Sequence, residues 1–388
     1  MSTDPFIIFG RPALGAEELA AVQAVLESRW LGTGPKVAEF ERRFRDYRRA
    51  SHAVAVGSCT AALHLAIVAA GIGPGDEVIT TAMTFCATVN AIVNAGGTPV
   101  IVDVDPVTQN IDPAAVRAAV TPRTRAILCV HFAGRSCDLD ALDALAREKG
   151  LVLIEDCAHA IETEYHGRAA GTIGAFGCFS FYATKNITTG EGGMVFARRR
   201  EDAERIKRLA LHGMSADAWK RFGDEGYKHY YVVDRGFKCN MMDLQAALGL
   251  CQLERIEQHY AQREQLWARY MHGLADLPLT LPAPPEPGTR HALHLFTVLV
   301  GDGRDHAERD RVLAALTRDR IGVGVHYLAI AEHPYYQDRY GWRPEDCPAA
   351  LAIGRSTLSL PMQADLGEAE QARVISSLRR ALGAAPNP

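Results

Sequence analysis

No two cysteines in this chain stand at C-x-x-C spacing, no basic run is long, and no apolar stretch is long enough to cross a bilayer. The N-terminus lacks the basic-then-apolar order of a secretory leader. Each absence removes a class. Without a basic run, and with a net charge of −4, nucleic acid is not an expected partner. Without a leader or a span, a membrane is not one either, and the expected location is the cytoplasm. The cysteines are scattered at positions 59, 86, 129, 137, 157, 178, 239, 251 and 347, mostly in apolar contexts. They read as buried free thiols in a reducing compartment, not as a disulfide framework or an iron–sulfur site, and no metal centre is expected.

What is present is an ordinary globular composition: 388 residues, 48% hydrophobic and 23% charged. That length suits two domains, or a large one with a smaller partner. Apolar strand-like segments at 53–56, 77–80, 98–104, 126–131 and 151–156 alternate with helical periodicity at 61–70, 87–94, 113–119 and 139–149. Alternation at this spacing implies βαβ units and a mainly parallel sheet covered on both faces. Two further helical patterns, 15–28 and 36–47, precede the first strand. From 243 to 274 the sequence reads as one long, lightly interrupted helix, and prolines 278, 282, 284, 285 and 287 then form an ordered connection. Beyond it come a strand at 295–300, a helix at 307–319, a strand at 322–327 and a helix at 367–382. The expected fold is α/β. A large domain over 14–250 carries the sheet, a smaller α+β domain covers 251–388, and residues 1–30 pack with the small domain.

The chemistry centres on Phe179-Ser180-Phe181-Tyr182-Ala183-Thr184-Lys185-Asn186 and the following Gly190-Glu191-Gly192-Gly193. Two apolar strands flank a polar loop that carries one lysine. A lysine held between buried strands and a glycine-rich turn is partly desolvated, which lowers its pKa and frees an amine to attack a carbonyl. Asp156 ends the apolar strand at 151–156, at the carboxyl edge where open α/β sheets bind ligands. A carboxylate there can hold a pyridine nitrogen protonated. Gly57-Ser58-Cys59-Thr60 opens a helix, and free N–H groups at such an end favour a phosphate; Ser180 can add a hydroxyl. Phe85, just past the strand at 77–80, can lie against a flat ring, and His159 can reach a ring hydroxyl. Each has a plainer reading when taken alone. Lys185 is then a surface lysine, Asp156, Ser58 and Thr60 are helix caps, Phe85 is core, and Ser180 and His159 are structural. As a set they match one cofactor, pyridoxal 5′-phosphate.

The chain also resembles the DegT/DnrJ/EryC1/StrS group of fold-type I aminotransferases. The resemblance rests on Leu31-Gly32-Thr33-Gly34-Pro35, Gly73-Pro74-Gly75-Asp76-Glu77-Val78-Ile79, Val102-Asp103-Val104-Asp105-Pro106, Glu155-Asp156-Cys157-Ala158-His159-Ala160, Phe179-Ser180-Phe181 with Thr184-Lys185-Asn186, Gly190-Glu191-Gly192-Gly193, Asp243-Leu244-Gln245-Ala246-Ala247 and Ser359-Leu360-Pro361. It implies that Lys185 is the Schiff-base lysine and Asp156 the partner of the pyridine nitrogen. It implies His159 near the ring hydroxyl, with Asn186 beside the cofactor, and Phe85 and Ala158 on opposite ring faces. Phosphate contacts are implied for Ser58, Cys59, Thr60, Ser180 and Lys238, the last reaching the cofactor of the other subunit in a homodimer with shared active sites. Cys59 stands where the commonest pattern has glycine. Lys238 and Asn240 stand where many relatives have asparagine and arginine. The implied reaction moves an amino group from L-glutamate to a keto group, C4 before C3, of a nucleotide-linked keto-hexose. Thr33, Glu191, His326, Tyr327 and the 212–230 stretch are candidate substrate contacts. The alternatives are a cyclitol or aminobenzoate-type synthase on the same scaffold and a non-catalytic regulator that binds the cofactor. A dehydratase branch, which uses histidine in place of the lysine, is opposed by Lys185.

Overall fold

The computed structural model describes residues 5–215 and 229–384. A seven-stranded sheet organises the first half of the chain. Its strands are β1 (His52–Val56), β2 (Glu77–Thr81), β3 (Thr98–Val102), β4 (Thr124–Val130), β5 (Val152–Asp156), β8 (Phe176–Ser180) and β9 (Gly193–Ala197), in spatial order β1-β9-β8-β5-β4-β2-β3. All neighbours from β8 across to β3 pair in parallel, whereas β9 runs antiparallel to both β8 and β1. Six strands therefore end at one edge of the sheet.

These strands are apolar on both faces because both faces are covered. Val78, Leu128 and Ile154 face the core under α3 (Cys59–Ala69), α4 (Cys86–Asn94) and α7 (Arg200–Leu209). Their sequence neighbours Ile79, Ile127 and Leu153 face the opposite core, with α5 (Pro113–Ala119) and α6 (Leu139–Lys149). The alternation is the two-residue period of a strand. A third core is aromatic: Phe179, Phe181 and Phe196 meet Phe40 and Phe44 from α2 (Pro35–Arg48), and α8 (Asp243–Glu254) closes it. Phe44 meets Phe179 and Phe181 edge-on at 5.2 Å each, contacts worth about 0.5–1.5 kcal/mol apiece beyond the area they bury. Because Phe179 and Phe181 point into this core, Ser180 between them points the other way.

The last third of the chain builds a second core from α9 (Ile256–Gly273), α10 (Ala307–Arg318), α13 (Glu368–Ala381) and a three-stranded sheet, β10 (Leu279–Thr280), β12 (Phe296–Val300) and β13 (Thr357–Leu360). The N-terminal residues divide. Ile7 is buried in this second core, whereas α1 (Ala16–Ser28) lies on α8 and is tied to it by Gln252 Nε2 donating to Glu18 at 2.8 Å. A minor sheet of β6 (Glu164–Tyr165), β7 (Arg168–Ala169) and β11 (Thr289–Arg290), with α11 (Pro334–Tyr340) and α12 (Pro348–Ser356), completes the described residues. No helix among them is long and apolar enough to cross a membrane.

Two expectations change. The helix read over 243–274 is two helices, α8 and α9, that meet at Arg255. The strand read over 322–327 does not form; Ile321 bridges to Ile7 and Gly324 to Ser359, each as an isolated pair. Its glycines explain the failure. A Cβ on Gly322 would stand 2.9 Å from the Ile7 carbonyl oxygen, and one on Gly324 would stand 2.5 Å from the His326 ring. The segment crosses other backbone too closely to extend a ladder, and His326 and Tyr327 follow it.

Candidate active site

The carboxyl ends of β1, β2, β5 and β8 lead directly into the residues singled out above. Asp156 is the last residue of β5 and is 4% exposed. Its Oδ1 accepts from the Ala158 N–H at 3.0 Å and its Oδ2 from the Thr88 hydroxyl at 2.9 Å. Thr88 is paired in turn with Thr84 at 2.8 Å. Burial raises the Asp156 pKa, while those two donors and the nearby Lys185 ammonium oppose the rise. A buried carboxylate under this strain favours a cationic N–H partner.

Lys185 follows β8 in a loop closed by backbone bonds from Lys185 to Tyr182 and from Thr189 to Phe181, both 2.9 Å. Its ammonium makes no hydrogen bond or ion pair among the described residues. The side chain is half-buried and lines a cavity together with Gly10, Asn186 and His326. Desolvation therefore dominates and brings its pKa down to about 8, with Cys59 and Asp156 pulling the other way. The next residue, Asn186, anchors the loop: its Nδ2 donates to Glu162 at 2.8 Å and to the Ala292 carbonyl at 2.9 Å. Its Oδ1 faces His294 Nδ1 at 2.9 Å, and Arg263 bonds Glu162 at 3.2 Å behind it.

Ser58 caps α3 by accepting from the Ala61 N–H at 3.1 Å. The N–H groups of Cys59 and Thr60 have no partner among the described residues, as expected at a helix start. Gly193, the first residue of β9, permits close approach here, since a Cβ would lie 2.5 Å from the Ser58 carbonyl carbon and 2.8 Å from the Cys59 nitrogen. Cys59 itself is buried, its thiol 3.9 Å from Asp156 Oδ1 and 3.5 Å from the Cys178 carbonyl. Ser180 is buried with its hydroxyl 3.3 Å from the Tyr182 N–H.

His159 is buried, with Nδ1 accepting from the Ala133 N–H at 3.3 Å and Nε2 lying 3.1 Å from the Tyr327 hydroxyl. Burial and the Lys185 charge hold its pKa well below the usual value. The neutral ring therefore carries its proton on Nε2 and donates it to Tyr327, leaving the phenolic O–H free to donate elsewhere. The ring of Phe85 is 57% exposed and stands 5.8 Å from that of Tyr327. His326 bonds the Ser359 hydroxyl at 2.8 Å, and burial lowers its pKa to about 4.

The remaining candidates lie on one side of this group. Lys238 is exposed and donates to Asn240 Oδ1 at 2.6 Å; Asn240 donates to the Thr33 hydroxyl at 2.7 Å, which donates to the Met241 carbonyl at 2.6 Å. This stretch runs beside the phosphate-type cradle of its own chain, because Asn240 bridges to Val56 and Gly57 donates to the Cys239 carbonyl at 2.7 Å. Glu191 is exposed at the loop tip. Of the 212–230 stretch, residues 216–228 lie outside the described residues.

Sequence reasoning missed Thr88, Thr84, His294, Arg263 and Glu162. A threonine one turn into a helix that starts beside a strand end was a usable signal for Thr88. It also missed a buried pair behind the site. His131 Nε2 lies 3.0 Å from Glu155 Oε2, and the Glu155 carboxylate also accepts three backbone N–H groups, from Gly171, Ile173 and Gly174. With Cys157 these residues have the residue types of a metal site. However, His131 Nδ1 already accepts the Cys137 N–H at 3.1 Å, so the ring is neutral and its Nε2–H completes the donor set of Glu155. The cluster is a satisfied structural pair.

Residues 12–379 match the DegT/DnrJ/EryC1/StrS aminotransferase family. The chain is 46% identical over 376 residues to the spore coat polysaccharide biosynthesis protein SpsC of Bacillus subtilis, covering 96% of each. It superposes with a TM-score of 0.92 on the putative sugar aminotransferase Spr1654 from Streptococcus pneumoniae in its PMP form, at 32% identity over 97% of this chain and 99% of that one. PseC of Helicobacter pylori, an aminotransferase involved in the biosynthesis of pseudoaminic acid, gives 0.90 at 28% identity over 98% and 100%.

Proposed function

The chain belongs to the DegT/DnrJ/EryC1/StrS aminotransferase family, whose members are pyridoxal-phosphate-dependent, and from that premise we propose that it moves an amino group from L-glutamate to C4 of a nucleotide-linked keto-hexose. The observation that carries the transamination chemistry is the unpartnered, desolvated Lys185 on the same sheet edge as the buried Asp156. The sugar acceptor draws support from the relatives named above.

The residues fit the cofactor: a helix start with free N–H groups and a glycine-cleared approach, a buried carboxylate, an amine and an open aromatic face. Pyridoxal phosphate, when bound, supplies an aldehyde for amines and a ring that withdraws electrons from the adjacent carbon. Cys59 and Thr60 would hold its phosphate through their N–H groups, with Ser58 and Ser180 beside them, and Asp156 would accept the ring N–H. Phe85 and Ala158 would flank the ring, and the His159–Tyr327 pair would present a hydroxyl donor to it. Lys185 Nζ takes the proton from the donor's α-carbon and later returns one to the acceptor. Thr33, Glu191 and His326 contact the acceptor sugar. Incubation of the PMP-loaded enzyme with UDP-, dTDP- and GDP-linked 4-keto sugars should aminate at least one of them. Amination of a keto-cyclitol alone would replace the sugar reading, and the absence of any glutamate half-reaction would leave a cofactor-binding regulator.

The site is shared across a homodimer in this reading. Trp30, Leu31, Tyr231, Val232, Val233 and Met242 are all 43% or more exposed, and large apolar side chains left in the open support a subunit contact that covers them. Lys238 then pairs with the phosphate bound by the other subunit, a charge-assisted contact worth about 1.5–3 kcal/mol. Complementation tests it, given that Lys238→Ala is itself impaired. Mixed with Lys185→Ala subunits, it should regain one complete site per heterodimer. Verified heterodimers without recovered activity would assign Lys238 to its own chain's cofactor.

A further inference from the structure

Thr84 and Thr88 stand one helical turn apart at the start of α4, both buried, so their side chains share a face. A hydroxyl inside a helix often bonds the carbonyl four residues back, as Thr317 does to Leu313 at 2.9 Å and Ser356 to Ala352 at 2.8 Å. Thr88 instead bonds out of its helix, to Asp156 Oδ2 at 2.9 Å. Nor does the pair cap α4. The N-cap there is Phe85, without a side-chain cap, whereas Ser58, Asp112 and Asp138 each accept a backbone N–H at the starts of α3, α5 and α6. The single hydrogen of Thr88 goes to the carboxylate, so Thr84 is the donor in the 2.8 Å bond between the two threonines. Two O–H groups in line therefore end on Asp156, and each polarises the next. The Ala158 N–H pins the other carboxylate oxygen at 3.0 Å. The other side chains close to that carboxylate are the Lys185 ammonium and the thiols of Cys59, Cys157 and Cys178, which burial pushes up and keeps neutral.

We infer that Thr88, backed by Thr84, is a positioning residue for Asp156, which it keeps charged and aimed at a cationic ring N–H. The inference rests on the role proposed above for Asp156. Burial drives that carboxyl toward its neutral form, and the Thr88 hydroxyl opposes the change. One proton can be shared in two ways between a carboxylate and a ring nitrogen: charged on both, or neutral on both. A hydroxyl that donates to the carboxylate stabilises the charged arrangement, in which the ring draws electrons more strongly. The start of α4 also carries Phe85, which would flank the same ring, so one helix start would serve both the ring face and the ring nitrogen.

The probe is pyridoxal phosphate labelled with nitrogen-15 in the ring, bound to the full chain and read by NMR, where protonated and bare ring nitrogens give separate shifts. Wild type should show the protonated form near pH 7. Thr88→Val keeps the shape and removes the hydroxyl. It should move the signal toward the bare form and slow the half-reaction with L-glutamate about tenfold, the scale of one hydrogen bond to a charged group. Thr88→Ser restores the hydroxyl and should match wild type in both measurements. Thr84→Val should shift the signal in the same direction by less. Combined with Asp156→Asn, Thr88→Val should add less than about twofold to the loss, because residues that act through one group are not additive. A packing role would slow both backgrounds by the same factor. A wild-type nitrogen signal in Thr88→Val overturns the inference, and so does equal slowing in the two backgrounds. If Thr88→Val does not fold, an unshifted signal in Thr84→Val overturns it. A bare ring nitrogen in wild type would overturn the role of Asp156 itself and the inference with it. A signal that moves in Thr88→Val, in an enzyme that transaminates nothing, would keep the positioning and overturn the reaction.

Discussion

Lys185→Ala should lose turnover by at least about 10³-fold, near the upper range for removal of a general acid–base group, while the melting temperature of the cofactor-free protein stays close to wild type. The geometry separates the two effects. The loop is held by Asn186, by its backbone bonds to Tyr182 and Phe181, and by the aromatic packing of Phe179 and Phe181. The lysine ammonium contributes no bond to that framework, and desolvation penalises it. Its removal should therefore cost little stability. The pH dependence carries a sign. Only the unprotonated amine attacks an aldehyde, so the rate of covalent cofactor capture by the wild-type apoprotein should rise with pH and level off above about 8, where the depressed pKa lies. An unshifted lysine would keep rising toward its ordinary value near 10.5. Stopped-flow absorbance of the apoprotein mixed with cofactor reads this profile. Turnover by Lys185→Ala near the wild-type rate would overturn the assignment.

The parts of this site that could be read in the sequence are those fixed by local rules. A strand buried on both faces reads as an apolar run, and a polar residue that ends such a run, as Asp156 does, stands at the ligand edge. Phe179-Ser180-Phe181 carries its own geometry, because the two-residue period sends the phenylalanines and the serine to opposite faces. Ser58 before a helical pattern reads as a cap. The parts that could not be read come from distant segments brought together only by packing. Arg263, His294 and Glu162 surround Asn186 from separations of 24 to 108 residues, and none belongs to a local pattern. The tautomer of His159 depends on the Ala133 N–H, which faces it because Ala133 and Gly134 both have positive φ. The segment over 322–327 misled because alternating Gly and Val copy the strand period while glycine removes the side chains a strand needs. The helix at Arg200–Leu209 was missed although its signal is local: Ala203, Ile206 and Leu209 are buried at helical spacing among charged residues.

Asp156→Asn should change catalysis and stability in opposite directions. In the cofactor-free protein burial raises the carboxyl pKa above its ordinary value. A raised carboxyl pKa stabilises the fold fully only below the unfolded-state value, and that contribution is lost as pH rises through the folded-state value. At neutral pH the charged carboxylate is therefore a cost, and a neutral amide of the same shape removes it. The amide also fits the existing hydrogen bonds. Its oxygen can still accept from Ala158, and its NH2 can face Thr88 once that hydroxyl donates to Thr84, since either atom of the Thr84–Thr88 pair can be the donor. The apoprotein variant should thus melt no lower than wild type near pH 7, and its advantage should shrink toward acid pH, where the wild-type carboxyl is protonated. In the loaded enzyme the charge that was a cost becomes the partner of the ring N–H, and an amide cannot hold that proton. The half-reaction with L-glutamate, followed by stopped flow, should slow by about 10²-fold or more, the equivalent of about 2.7 kcal/mol in the barrier. A residue that served only as a turn or cap at the end of β5 would leave the half-reaction rate unchanged, because asparagine caps as well as aspartate does. An unaltered rate beside an unaltered melting curve would reduce Asp156 to that role.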